Sequence, residues 1–224
     1  MDILIDFIPN VVKYADQFPK AVLDTLLMLL YSGVISLVIG LVFGVIVVVT
    51  RKGGILENKV VFFIFDKIIN LFRSIPFIIL IPMLFFLSRL IFNTTIGISG
   101  ALVPLVVGTI PFMARQMESA MMEIDDGIVE AAISMGMSPM QIILHVYLRE
   151  NVPGMIRGIT ITLIALIGQI AIVGAVGAGG LGDMAIRYGQ RYMYDITYTV
   201  VILILIIISI IQSIGNKLVE KTTH

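Results

Sequence analysis

Glu130-Ala131-Ala132, with Gly136 four residues beyond the second alanine, is the spacing in this sequence best suited to specific chemistry. That chemistry is docking rather than catalysis. Two adjacent alanines give a short helix a flat, low-entropy face that fits closely into another protein's groove, and the neighbouring glutamate offers a charge to a basic partner. Gly136 sets the angle of exit, because glycine reaches φ > 0 without strain and is favoured just past a helix end. Upstream, Asp125 or Asp126 supplies a short acceptor for the orphan N–H groups of a helix N-terminus, and the acidic charge suits the helix dipole. Ser138-Pro139-Met140-Gln141 reads as a capping box with proline at the first helical position, which starts a second helix. Met135, Met137 and Met140 add adaptable apolar contacts. Glu123–Leu148 is therefore predicted to be helix, bend, helix. An ordinary helical hairpin, with its alanines present for propensity alone, fits the same spacing.

Other chemistries lack their residues. No G-x4-G-K-[ST] loop is present, so the usual phosphate cradle is missing and ATP and its magnesium are expected on a partner, not here. There is no G-x-S-x-G, no H-E-x-x-H and no paired intramembrane carboxylate, so an enzyme is not expected. With no cysteine and only His145 and His224, disulfides, thiolate catalysis and cysteine-based metal sites are excluded. A formal net charge of zero argues against a nucleic-acid partner. A secondary transporter would show two similar halves and ionisable groups at mid-membrane, and neither pattern is visible.

The elements that must position the polar stretch are apolar. Of 224 residues, 58% are hydrophobic and 13% charged, and mean hydropathy is +1.06. Soluble domains carry roughly 25% charged residues, so the chain is expected in a bilayer as an all-α integral membrane protein. Charge-free runs predict spans at about 25–50, 92–114, 158–180 and 196–216, since each reaches the ~20 residues a crossing needs. A fifth span at about 66–89 is expected to be compound: Ser74–Ser88 is uncharged but too short, so Val60–Phe72 must supply its other half, with Asp66, Lys67 and Arg73 on board. Residues 1–20 are expected to lie at the interface through Ile3, Ile5, Phe7, Ile8, Val11 and Val12, and 216–224 to form a tail. The acidic MDILIDFIPN start has no basic n-region, so no cleavage is expected.

Within the spans, Ser32, Ser36, Gly40 and Gly44 recur every four residues, a small-residue stripe that favours packing within the chain over a dimer seam. Arg73-Ser74-Ile75-Pro76-Phe77 places a cation, a hydroxyl and a helix-kinking proline at one depth. Pro153-Gly154 is expected to break the chain before the fourth span. The GAVGAGGLGD run, with Gly174, Gly177 and Gly180, should unwind near the outer surface, either for dense packing or as a gate. Asp183, Arg187, Tyr188, Arg191, Tyr192 and Tyr194 read as an outer loop with tyrosines for an interfacial belt. An inside terminus at the end of the chain places Arg51, Lys52, Lys59, Lys67, Arg115, Arg149, Arg157, Lys217 and Lys221 in the cytoplasm. Those nine stand against Lys13, Lys20, Arg89, Arg187 and Arg191 outside, which supports N-out, C-in and a cytoplasmic polar stretch.

Glu130-Ala131-Ala132, Gly136 and Val146-x-Leu148 resemble the EAA loop, EAA-x3-G-x9-I-x-LP, of type I ABC importer permeases. The departures are Val146 for isoleucine and Arg149 for the closing proline. FRSIPFIIL, EAA…MG…SPMQI and GAVGAGGLG resemble, over nearly all of 21–215, the permeases of bacterial methionine ABC importers. The resemblance implies a homodimer in the bacterial inner membrane, two cytosolic ATPase subunits and an extracytoplasmic methionine-binding protein. It also implies ATPase coupling through Glu130, Ala131, Ala132, Met135, Gly136 and Met137. The translocation path or its gate is expected at Arg73, Ser74, Pro76, Phe77, Gly174, Gly177 and Gly180.

Overall fold

The computed structural model describes residues 8–223, so Ile3, Ile5 and Phe7 of the expected interfacial segment lie outside the described residues. The described residues are helical, with no strand among them. In order they form α1 (Pro9–Lys13), α2 (Phe18–Thr50), α3 (Lys59–Ser74), α4 (Phe77–Phe92), α5 (Gly97–Met122), α6 (Asp126–Ser134), α7 (Pro139–Ile142), α8 (Val152–Gly174), α9 (Gly180–Gly189) and α10 (Tyr194–Thr222). Helices α2, α5, α8 and α10 are long and apolar enough to cross a bilayer, and α3 with α4 supplies a fifth crossing if the pair counts as one.

That pair occupies the stretch of the compound span expected at 66–89, with its break at the kinking proline. Pro76 has no N–H and forces the residue before it out of the helical region; Ile75 is extended at φ −82°, ψ 122°. The chain bends by 111° between the two 16-residue helices. Helix α4 then runs on to Phe92 and stops at Asn93, which takes the left-handed conformation at φ 56°. The third crossing thus begins at Gly97 rather than near residue 92 and continues past Arg115 to Met122. Pro153 and Gly154 lie in the first turn of α8, where proline's missing N–H costs nothing, so they open the helix instead of breaking it. The expected outer loop is largely α9, and residues 217–222 of the expected tail continue α10.

The chain divides into two compact units. One gathers the residues up to Val34 with Pro76–Val106 and Leu163–Ile211. Its core is Met28, Ile81, Leu105, Leu166 and Ile170, with a second cluster where Ala21 meets Leu181, Met184, Tyr188, Ile196 and Val200. Tyr188 is 2% exposed, its hydroxyl 2.8 Å from Gln17 Oε1, so it serves this core and not an interfacial belt. Asn10 and Val11 donate backbone N–H groups to Asp195 at 2.9 and 3.3 Å, tying α1 to the start of α10.

The other unit gathers Ile35–Ile75, Val107–Thr162 and the chain from Gln212 onward. Its small residues serve close packing: a Cβ on Gly40 would stand 2.6 Å from Met113 Cγ, and one on Gly44 2.9 Å from the Ala114 carbonyl. The stripe's glycines are consumed within the chain, as the spacing suggested. On this packed base, formed by α2, α5 and α8, sits the polar stretch.

Candidate functional site

The hairpin forms because each of its ends is chemically specified. Asp125 is the N-cap of α6, accepting from Gly127 N at 2.7 Å. At the far end Gly136 N–H reaches the Ile133 carbonyl at 2.9 Å and Met137 N–H the Ala132 carbonyl at 3.1 Å, the paired bonds of a Schellman stop. Gly136 sits at φ +78° with open space around a built Cβ, so the backbone alone demands glycine. Ser138 and Gln141 then cap each other reciprocally, Ser138 N–H donating to Gln141 Oε1 at 2.8 Å. After α7 the chain widens into a π-turn, Ile143–Tyr147, which the sequence did not signal.

Burial sorts the predicted docking residues into two sets. Val129, Ala132, Ile142, Val146 and Tyr147 point inward onto Val48, Val49, Met113, Met117 and Met121. Ala132 is 2% exposed and Met137 half-buried on the same cluster, so Ala132 belongs to the hairpin's own seat, correcting its expected place on the docking face. Outward stand Glu130 and Ala131, with Ile128, Ile133, Met135, Met140 and Leu144 around them. Met135 is 74% exposed. Apolar side chains massed on an otherwise polar element mark a surface for a partner. Burial raises the Tyr147 phenol above its ordinary value; nearby Arg51 opposes this and Asp126 adds to it.

Charges fasten the hairpin to the helix ends around it. Arg51, just past α2, lies 3.6 Å from Asp126, and Arg157 of α8 lies 3.6 Å from Glu123. Exposed pairs of this kind contribute little each, about 0–1 kcal/mol. Deeper in, Arg115 pairs with Asp66 and Glu118 and donates to Asn70 Oδ1 at 3.0 Å. Asn151 is buried at the start of α8, its amide donating to the Ala120 carbonyl.

The expected path residues fall in both units. Arg73 and Ser74 belong to the second unit, both exposed, with the Ser74 hydroxyl bonded to the Asn70 carbonyl at 2.8 Å. Pro76, Phe77, Gly174, Gly177 and Gly180 belong to the first. Pro76 caps α4 and Phe77 packs on that unit's core. The glycine run does unwind, with Gly177, Gly179 and Gly180 all at positive φ. Its glycines also permit contact: a Cβ on Gly182 would stand 2.5 Å from Ala171 Cα, and Gly97 N–H reaches the Gly177 carbonyl at 2.9 Å. Leu181 N–H, at the start of α9, donates to Thr25 Oγ1 at 2.9 Å. Gly180 also borders a cavity of about 460 Å³ with Asp16, Lys20, Asp24, Asp183 and Arg187.

Residues 36–224 match the family of binding-protein-dependent transport system inner membrane components. The chain belongs to that family. A probable D-methionine transport system permease protein MetI of Vibrio cholerae is 42% identical over 94% of each chain. The D-methionine transport system permease protein MetI of Escherichia coli is 46% identical over 66% of this chain and 69% of its own. Among solved structures, a chain of the MetNI methionine ABC transporter in inward-facing conformation superposes with a TM-score of 0.91 at 44% identity. That match covers 93% of this chain and 97% of the other. An amino acid ABC transporter chain at 16% identity shares the fold, with a TM-score of 0.78.

As a member of this family the chain is a multi-pass membrane transport component, not a catalytic protein. Two features of its hairpin base escaped sequence reading. The Asp66–Asn70–Arg115–Glu118 network had a signal in the i,i+4 and i,i+3 spacings of its partners, but the pairing of α3 with α5 joins residues 49 apart. Asn151 had the N-cap signature of asparagine before a helix with proline in its first turn.

Proposed function

We propose that this chain is the permease subunit of an ATP-driven importer for methionine, acting as a homodimer that forms the translocation path. The observation that carries the reading is the hairpin: one face buried on Met113, Met117 and Met121, the other leaving Glu130, Ala131 and Met135 exposed. Two cytosolic ATPase subunits would bind ATP and magnesium and grip that outward face, and an extracytoplasmic binding protein would deliver the solute. Closure of the ATPases moves the hairpin, and its apolar seat passes the movement to α2, α5 and α8. A seat of close-packed side chains suits this role, since packed interfaces switch between discrete arrangements instead of deforming. The basic residues support an N-out, C-in orientation. Methionine as cargo rests on the likeness to MetI permeases over most of the chain.

The test is reconstitution of the chain with ATPase and binding protein in proteoliposomes. ATP-dependent accumulation of labelled methionine is expected. Uptake of a different amino acid in its place would move the cargo and leave the coupling scheme; hydrolysis without uptake of any solute would overturn the reading.

A further inference from the structure

Asn151 stands where three parts of the second unit meet, and its amide is engaged on both sides. Its Nδ2 donates to the Ala120 carbonyl near the end of α5, and its Oδ1 accepts from Gly154 N–H at 3.1 Å in the first turn of α8. Its own carbonyl receives Met155 N–H at 3.0 Å. The Ala120 carbonyl also receives Glu123 N–H at 3.2 Å, where α5 ends and the chain turns toward the hairpin. The residue is 9% exposed, and a buried amide with donor and acceptor both satisfied holds one orientation.

The chain leaving the hairpin reaches Asn151 through Leu148–Glu150, where an exposed Arg149 stands in place of the proline of the EAA-loop pattern. A proline ring would restrict the backbone at that step; arginine does not. Gly154 completes the arrangement, since a Cβ there would lie 2.8 Å from Asn151 Cγ and 2.9 Å from Nδ2. Glycine in a helix's first turn is otherwise unfavourable, and here it makes room for the amide.

The geometry points to Asn151 as the positioning residue that sets the hairpin's exit and binds the ends of α5 and α8 into one body, so that a displacement of the hairpin moves both helices together. It acts through Ala120 and Gly154 and touches no substrate. The inference rests on the ATP-driven transport reading and adds a specific transmission point to it.

The test uses the complete complex with ATPase subunits and binding protein in proteoliposomes, reading ATP hydrolysed per solute taken up alongside ATPase co-purification. Asn151→Asp keeps the acceptor for Gly154 N–H and so the helix cap, but has no donor for Ala120. It should keep the ATPase bound while raising ATP consumed per solute at least five-fold. Gly154→Ala retains every hydrogen-bonding group, favours the helix and pushes the amide aside; the same rise is expected, and it decides the matter if Asn151→Asp fails to assemble. Wild-type ratios in both variants would overturn the assignment and leave Asn151 a helix cap. A wild-type complex that moves no solute with ATP would instead refute the transport reading, and one that moves a solute other than methionine lets the ratio be measured on that solute.

Discussion

Ala131 and Ala132 are adjacent, yet substitution by tryptophan should give opposite failures. At Ala132 the methyl is 2% exposed amid Val129, Ile142, Val146, Met117 and Met121. An indole there overpacks the seat, at about 1–3 kcal/mol or more, or displaces a neighbour such as Val129, whose burial is worth roughly 1.5–3 kcal/mol. Either way the seated hairpin loses about 5–150-fold in population relative to the unseated one. Ala131 faces outward, so its indole strains nothing within the chain and obstructs only what docks there. Limited proteolysis of the isolated permease and co-purification of the ATPase read the two effects separately. Ala132→Trp should make the hairpin cleavable in the permease alone. Ala131→Trp should leave proteolysis unchanged and abolish ATPase recovery. An Ala131→Trp permease that retains its ATPase in full would show that the docking face lies elsewhere, and protease resistance in Ala132→Trp would refute the seat.

Gly136→Val imposes a β-branched residue on φ +78°, where nothing crowds a Cβ, so the cost is backbone strain of about 1–3 kcal/mol. Uptake should fall while ATP hydrolysis persists; undiminished uptake would count against a rigid hairpin. Arg115→Met strands Asp66 and Glu118 in a half-buried setting at about 1–3 kcal/mol. Adding Asp66→Asn should recover part of the lost melting temperature, and no recovery would mean the pair is not coupled. Thr25→Val leaves the buried Leu181 N–H without its acceptor, costing about 1–3 kcal/mol. Amide exchange at the start of α9 should accelerate, and unchanged exchange would show that the bond does not hold that helix.

Local signals in the hairpin were legible because each is settled within four residues. Asp125 before α6, Gly136 after it and the Ser138–Gln141 box are backbone requirements that only a few residue types meet. The break at Ile75-Pro76 was legible for the same reason, though not its 111° size, which depends on what each helix packs against. Apolar stretches located the crossings but not their ends. Gly97–Met122 runs seven residues past Arg115 because Asp66, Asn70 and Glu118 satisfy that cation where it stands.

Composition and short spacings by themselves determined that the chain is helical, lies in a membrane and carries a capped hairpin on its polar stretch. Only the tertiary structure decided which alanine faces outward, since two neighbours on a helix differ by about 100° and only the seat beneath says which is covered. It alone likewise joined Arg115 to Asp66 and Asn151 to Ala120. Pairs so distant in sequence are made by the packing of whole helices, and no local propensity encodes them.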